Sequence, residues 1–223
     1  MGSAGDIRGT LRRLGRSKAV LALLFAALLA QQAPNVVRLA QKALSDEPAP
    51  RRPDVSYVPT PQKVVDRMLE LAQVTRDDVV YDLGCGDGRI VITAARQYGC
   101  RAIGYDIVDW VIDMARENVA QAGIGHLVTI ENADIFTLDL GGASVITLYL
   151  LPDLNVRLIP QLDKLRPGVR IVSHNFDMAG VKPDQVVTVK DAEGPYDDHT
   201  VFLWTTPLNK EVPSGEVSGV TPR

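Results

Sequence analysis

The 223-residue sequence predicts an α/β fold: a doubly wound sheet of seven strands, mostly parallel, with an antiparallel C-terminal hairpin. Three observations predict it. From Tyr57 onward, short apolar runs alternate with stretches whose apolar residues recur at helical spacing. The first run, "VVYDL", leads into a turn with glycine at every second position: Gly84, Gly86 and Gly88. The last two runs, "QVVTVKD" and "HTVFLWTT", have no helical stretch between them, so they pair antiparallel.

The first fifty residues stand apart. Arg8, Arg12, Arg13, Arg16 and Lys18 precede the apolar run "AVLALLFAALLA" (19–30), and "QQAP" follows. A basic start, a short apolar run and small residues describe a secretory signal peptide. The run is shorter than the roughly 20 residues of a spanning helix. Three alternatives stay open: a signal anchor extending toward Val37, a mitochondrial presequence, and a cytosolic amphipathic helix. Residues 1–43 are therefore expected to be a signal or anchor, with export or anchoring through residues 1–33. Residues 44–56, rich in Pro and charge, read as a linker, 57–207 as the folded domain, and 208–223 as a disordered tail.

Within the domain, "TPQKVVDRMLELAQV" opens with Thr60 as a candidate N-cap and Pro61 at the first helical position. Val64, Val65, Met68, Leu69 and Leu71 form its apolar stripe. "DVVYDLG" is the first strand. "GRIVITAARQYG" is a helix stopped by Gly99, "CRAIGYDI" the second strand, and "DWVIDMARENVAQAG" a helix ending at Gly123. "LVTIENAD" and "SVITLYLL" continue the strands. A helix over 152–165 should kink or break at Pro160, and "GVRIVSHNF" is the fifth strand.

Composition narrows the function. Hydrophobic residues make up 46% and charged residues 23%, which suits a globular protein. A net charge of −3 gives no broad basic surface for nucleic acid. Cys85 and Cys100 lack metal-ligand spacing and read as structural, and no metal site is expected.

The glycine loop carries the functional signal. Glycines before a helix N-terminus let backbone N–H groups approach a ligand. A dinucleotide fingerprint places its third glycine one residue later, where this chain has Arg89, and no Gly-Lys-Ser/Thr follows for a Walker A loop. Asp82 immediately precedes the loop, where a carboxylate repels pyrophosphate but attracts an ammonium or sulfonium group. Asp106 ends the second strand, placed to accept ribose hydroxyls. Asp134 follows the third, placed to accept from an adenine amine. Three acids at adjacent strand ends, without a pyrophosphate motif, describe S-adenosylmethionine (SAM) better than NAD.

"DLGCGDGR", "GYDI" and "NADIF" resemble the first motifs of class I SAM-dependent methyltransferases, whose fold is a Rossmann-like seven-stranded sheet. "YVPTPQKVV", "TLYLLPDLN" and "RPGVRIVSHNFDM" resemble the archaeal protein-lysine methyltransferases and their membrane-linked mitochondrial relatives. That resemblance implies that Tyr57 and Thr60 close over the cofactor and that "TLYLLP" stands where other methyltransferases carry a catalytic motif. It implies N-methylation of a protein lysine, with a membrane protein as one acceptor to test. Candidate residues on the acceptor side are Tyr149, His174, Asn175 and Asp177, with Asn155 expected at the surface of the following helix. Relatives tend to carry an acid where this chain has Asn175. Two other readings remain open: a small-molecule methyltransferase of the same fold, and a non-catalytic, exported SAM- or nucleoside-binding module.

Overall fold

A computed structural model describes residues 54, 56–190 and 198–211 of the chain. The expected signal or anchor, most of the linker and the tail beyond residue 211 lie outside the described residues. Among the described residues, no helix is long and apolar enough to cross a membrane.

Helix α1 (Gln62–Leu71) precedes β1 (Val79–Leu83), α2 (Arg89–Tyr98), β2 (Arg101–Asp106) and α3 (Asp109–Gln121). Then come β3 (Val128–Asn132), β4 (Val145–Leu148), α4 (Pro152–Leu162), β5 (Arg170–His174), β6 (Gln185–Lys190) and β7 (Asp198–Thr205). All seven expected strands join one sheet in the order β3-β2-β1-β4-β5-β7-β6. Strands β1 to β5 pair in parallel, and β7 runs antiparallel between β5 and β6. Strand order reverses at β1, so a crevice opens between β1 and β4 at their carboxyl ends, where such sheets bind ligands.

Alternation along β1 sends Val80 and Tyr81 to opposite faces. The Val80 face packs on the stripes of α1, α2 and α3, among them Val64, Met68, Val91 and Ile112. The Tyr81 face packs on Leu158 and Leu162 of α4, with Ile146, Ile171 and Trp204. Helix α2 ends at Gly99 as expected, in the left-handed conformation.

Two local expectations are corrected. Thr60 does not cap α1: Pro61 takes the N-cap position, no side chain caps the helix, and the Thr60 hydroxyl bonds His174 instead. Pro160 does not break α4, which runs unbroken and ends two residues later. In that last turn a proline removes one ladder bond of a helix already about to stop.

Candidate active site

Strand β1 ends at Leu83, and the chain turns through Gly84 (φ 85°), Gly86 (φ 56°) and Gly88 (φ 79°) into α2. The Gly84 and Cys85 N–H groups both donate to the Tyr105 carbonyl at 2.9 Å, which ties the loop to the end of β2. Gly86 has no room for a side chain: a Cβ there would stand 2.5 Å from Cε2 of Tyr57, so the Tyr57 ring lies directly on the loop backbone. Gly104 on β2 is needed for a related reason, since its Cβ would meet the Cys85 Sγ at 2.8 Å. Burial pushes the Cys85 thiol far up, so it stays protonated and structural.

The loop floors an open cleft of about 900 Å³, counted to its mouth and lined in part by Tyr57, Thr60, Asp82, Asp106, Asp134 and Tyr149. Asp82 is 2% exposed. Its Oδ1 accepts from Thr147 Oγ1 at 2.6 Å, while Oδ2 has no hydrogen-bond partner among the described residues. Burial pushes its carboxyl up to about 7; the Thr147 bond opposes this, and the Asp106 and Asp87 charges add to it. Asp106 Oδ2 accepts from Gly86 N–H at 3.1 Å, and Oδ1 accepts from the Ile107 and Val108 N–H groups. This carboxylate shapes the loop as well as lining the cleft. Asp134 Oδ1 accepts from Phe136 N–H at 3.0 Å.

A strap formed by Tyr57 to Thr60 crosses the glycine loop. Arg89 fastens it. Its guanidinium is paired with Asp87 at 2.7 Å and donates from Nη1 to the Thr60 carbonyl at 2.8 Å. Burial and the Asp87 carboxylate push the Tyr57 hydroxyl up. Trp110, 61% exposed, stands edge-on to Tyr57 with ring centres 6.2 Å apart.

Of the acceptor-side candidates, Tyr149 lines the cleft. His174, Asn175 and Asp177 do not. His174 is fully buried behind Tyr149, its ring 3.9 Å from the tyrosine ring. Burial and His199 push His174 down to about 3, so it stays neutral and is a poor base. Asn175 adopts φ 60°, its N–H donates to the Thr200 carbonyl, and its Oδ1 accepts from Thr200 N–H. It extends the β5–β7 ladder rather than facing a ligand. Asp177 points to solvent. Asn155 is fully buried rather than on the surface, because its Nδ2 donates to the Phe176 and Asp177 carbonyls at 3.1 Å and holds the turn after β5.

A protein-lysine N-methyltransferase of Saccharolobus islandicus (strain REY15A) is 46% identical over 154 residues, 68% of this chain and 94% of its own length. The chain belongs to the protein-lysine methyltransferase family. A family model described as the ANTKMT methyltransferase domain matches residues 82–185. The adenine nucleotide translocase lysine N-methyltransferase of Mus musculus is 34% identical over 140 residues, 62% of this chain and 60% of that longer protein. The crystal structure of an RNA methyltransferase from Salinibacter ruber, in complex with S-adenosyl-L-homocysteine, is 49% identical. It covers 70% of this chain and 97% of that one, with a TM-score of 0.62.

The cofactor of a class I methyltransferase is SAM, and the cleft suits it. The unpartnered Asp82 oxygen is an acceptor awaiting a cation, and the side-chain-free loop admits a ligand to backbone N–H groups. The residues that would hold it are Asp82, the glycine loop, Asp106, Asp134 and the Tyr57–Thr60 strap. Sequence reading of this methyltransferase missed Thr147, the Asp87–Arg89 clamp and His199. Arg89 carried a signal, as the residue displacing a dinucleotide glycine. Thr147 and His199 carried none, because each meets its partner only across the sheet.

Proposed function

We propose that the protein N-methylates lysine side chains of other proteins, using SAM. Two relatives of similar identity are named for different acceptors, a protein lysine and RNA. One observation favours lysine. The described cleft lining carries five aspartates (Asp54, Asp82, Asp87, Asp106 and Asp134) against one cation, Arg89, which is already paired with Asp87. Such a surface draws an ammonium and repels a phosphate backbone, whose binding needs unpaired Lys and Arg. The rim beside it exposes Val58 (56%), Trp110 (61%) and Leu151 (47%). Only three residues separate β4 from α4, too few for an inserted lid between them. An open apolar rim suits a macromolecular acceptor better than an enclosed metabolite.

SAM, when bound, supplies a methyl group on a sulfonium that leaves as a neutral thioether. The protein supplies alignment, which contributes on the order of 7–11 kcal/mol when the reacting atoms are well oriented. Asp82 would hold the ammonium of the cofactor and Tyr149 would shape the approach of the amine. A lysine has a reference pKa of about 10.4, so roughly one amine in 10³ is neutral at pH 7. His174 is buried away from the cleft and too weak a base to take that proton. The ammonium therefore docks against the carboxylate lining and gives its proton to water at the open mouth.

The basic start and apolar run of residues 8–30 support a further placement, a tether that holds the domain at a membrane. Fractionation of the full chain with an alkaline wash tests it. Residues recovered only in the soluble fraction would remove the tether.

Labelled-methyl transfer into membrane and soluble cell extracts tests the acceptor. Label should fall to protease digestion and be recovered as methyl-lysine on hydrolysis. Label released by ribonuclease, or passing a small-molecule filter before digestion, would overturn a protein lysine as the acceptor.

A further inference from the structure

Behind the strap lies a buried chain of three polar side chains that the methyl-transfer reading leaves unused. Thr60, 4% exposed, lines the cleft. Its Oγ1 lies 3.2 Å from His174 Nδ1, and His174 Nε2 lies 2.9 Å from His199 Nδ1. His199 is buried too, and its Nε2 has no hydrogen-bond partner among the described residues.

Neutral imidazoles carry one N–H each, so this chain has two polarities. In the first, Thr60 donates to His174 Nδ1, His174 Nε2–H donates to His199 Nδ1, and the His199 proton sits on Nε2 with nothing among the described residues to receive it. In the second, His199 Nδ1–H donates to His174 Nε2, and His174 Nδ1–H donates to Thr60 Oγ1. Only a bare lone pair is then left on His199. A buried, unmade N–H is rarer in folded proteins than an under-used acceptor, so the second polarity wins. Thr60 then accepts in the one side-chain bond described for it, and its O–H is free to donate elsewhere.

We propose that His199, acting through His174, fixes the Thr60 hydroxyl as a donor into the cofactor cleft, directed to the carboxylate of SAM. This rests on SAM as the cofactor. Its two charged ends divide naturally between the two sides of the site. Asp82 offers an unpartnered acceptor for the ammonium. Thr60 offers a donor from the strap, where the Arg89 guanidinium holds its carbonyl. His199 and His174 are positioning residues, since neither lines the cleft.

Two measurements on the full chain test this. The first is two-bond ¹H–¹⁵N correlation of the histidine rings in the protein without cofactor. The chain has three histidines, and the third, His126, is exposed. Both His174 and His199 should carry the proton on Nδ1 with Nε2 bare; a proton on His174 Nε2 overturns the proposal. The second compares binding of SAM and decarboxylated SAM by His199→Phe and His199→Asn, with folding followed by thermal melting. His199→Phe should bind SAM roughly ten- to a hundredfold more weakly, the loss expected for a hydrogen bond to a charged group. Its affinity for decarboxylated SAM should stay within about twofold, and His199→Asn, which keeps an N–H donor, should recover most of the loss. Equal weakening for both ligands would overturn the carboxylate contact. Should His199→Phe fail to fold, the ring tautomers and the Asn variant still decide. No SAM binding by the unaltered protein would overturn the cofactor assignment and the contact together, and the tautomers separate that failure from failure of the relay.

Discussion

Strand β1 has an acid near each end, and the two live opposite lives. Asp78, just before the strand, is saturated. It pairs with Arg170 and accepts from the Ser144 hydroxyl at 2.6 Å and from Thr75 N–H at 2.7 Å. Burial pushes its carboxyl up, but those bonds outweigh it and hold the group below the usual range. Asp82, four residues on, has one hydrogen bond, an unpartnered oxygen and a carboxyl pushed up to about 7. The same residue type is a fastener at one end of the sheet and a ligand-binding group at the other. What separates them is whether the fold has already supplied their partners. The closed end carries stability, and the open end carries an unmet electrostatic demand that a cation meets.

The largest expected effect breaks this contrast directly. Asp82→Asn keeps the acceptor for Thr147 but removes the charge, and should weaken SAM binding by roughly 30-fold to several thousandfold, the range for loss of one partner in a desolvated charge pair. It should also stabilise the empty protein. The folded-state pKa of Asp82 is raised above its ordinary 3.8 to about 7. Its favourable contribution is therefore complete below 3.8 and is lost as pH rises toward 7. Melting curves of the unaltered protein should carry this downward slope between those limits, and Asp82→Asn should flatten it and melt higher at pH 8. Asp78→Asn should do the reverse. The lowered pKa of Asp78 makes its contribution present above 3.8 and lost as pH falls through its folded-state value. Its loss should lower the melting temperature by on the order of 5 °C at neutral pH while SAM affinity stays within about twofold. A SAM affinity unchanged in Asp82→Asn would sink the cofactor assignment of that carboxylate.

The next effect separates cofactor from acceptor. Tyr149→Ala should leave SAM affinity within about threefold but slow methyl transfer by up to about a hundredfold, as a misplaced nucleophile does. Parallel loss of affinity would place Tyr149 on the cofactor side instead. Smaller again is Gly86→Ala. A left-handed backbone costs a non-glycine residue roughly 1–2 kcal/mol, and the new Cβ would push Tyr57 off the loop. SAM should bind about tenfold more weakly with the sheet intact. Normal SAM binding with altered Trp110 fluorescence would show that the strap tolerates displacement.

The two sides of the site also differ in how far they could be read from the chain alone. On the cofactor side, the three carboxylates sit where strands end: Asp82 near the end of β1, Asp106 at the end of β2, Asp134 shortly after β3. Parallel pairing aligns those ends without further information, so linear motifs sufficed. The strand set was legible for the same reason, since each strand is a local apolar run. The strap and the groups behind Tyr149 are instead fixed by contacts between distant residues. Thr60 reaches His174 across 114 positions, and His174 reaches His199 across 25. A proline-threonine pair before a helix reads as a cap on local rules, yet the tertiary bond to His174 overrides it. Asn155 read as surface because helix polarity favours polar residues outside; its burial follows from two carbonyls of the turn after β5 that nothing local announces.

The smallest expected effect concerns Asn175, just past the end of β5. Asn175 works through its backbone and through one oxygen: φ 60° turns the chain after β5, and Oδ1 accepts from Thr200 N–H at 2.9 Å. Aspartate offers the same oxygen, and Asn and Asp both tolerate the left-handed region better than other residues with a side chain. Asn175→Asp should therefore leave SAM affinity and transfer rate within about twofold and the melting temperature nearly unchanged. Asn175→Leu keeps neither the oxygen nor the conformational tolerance, and should cost on the order of 1 kcal/mol for the half-buried Thr200 N–H left unmade. A marked rise in transfer rate for Asn175→Asp, with a new acidic limb in the pH profile, would instead give that carboxylate a part in removing the lysine proton. On the geometry described, the Asn175 amide and backbone pin the end of β5 to β7, next to His174 behind Tyr149.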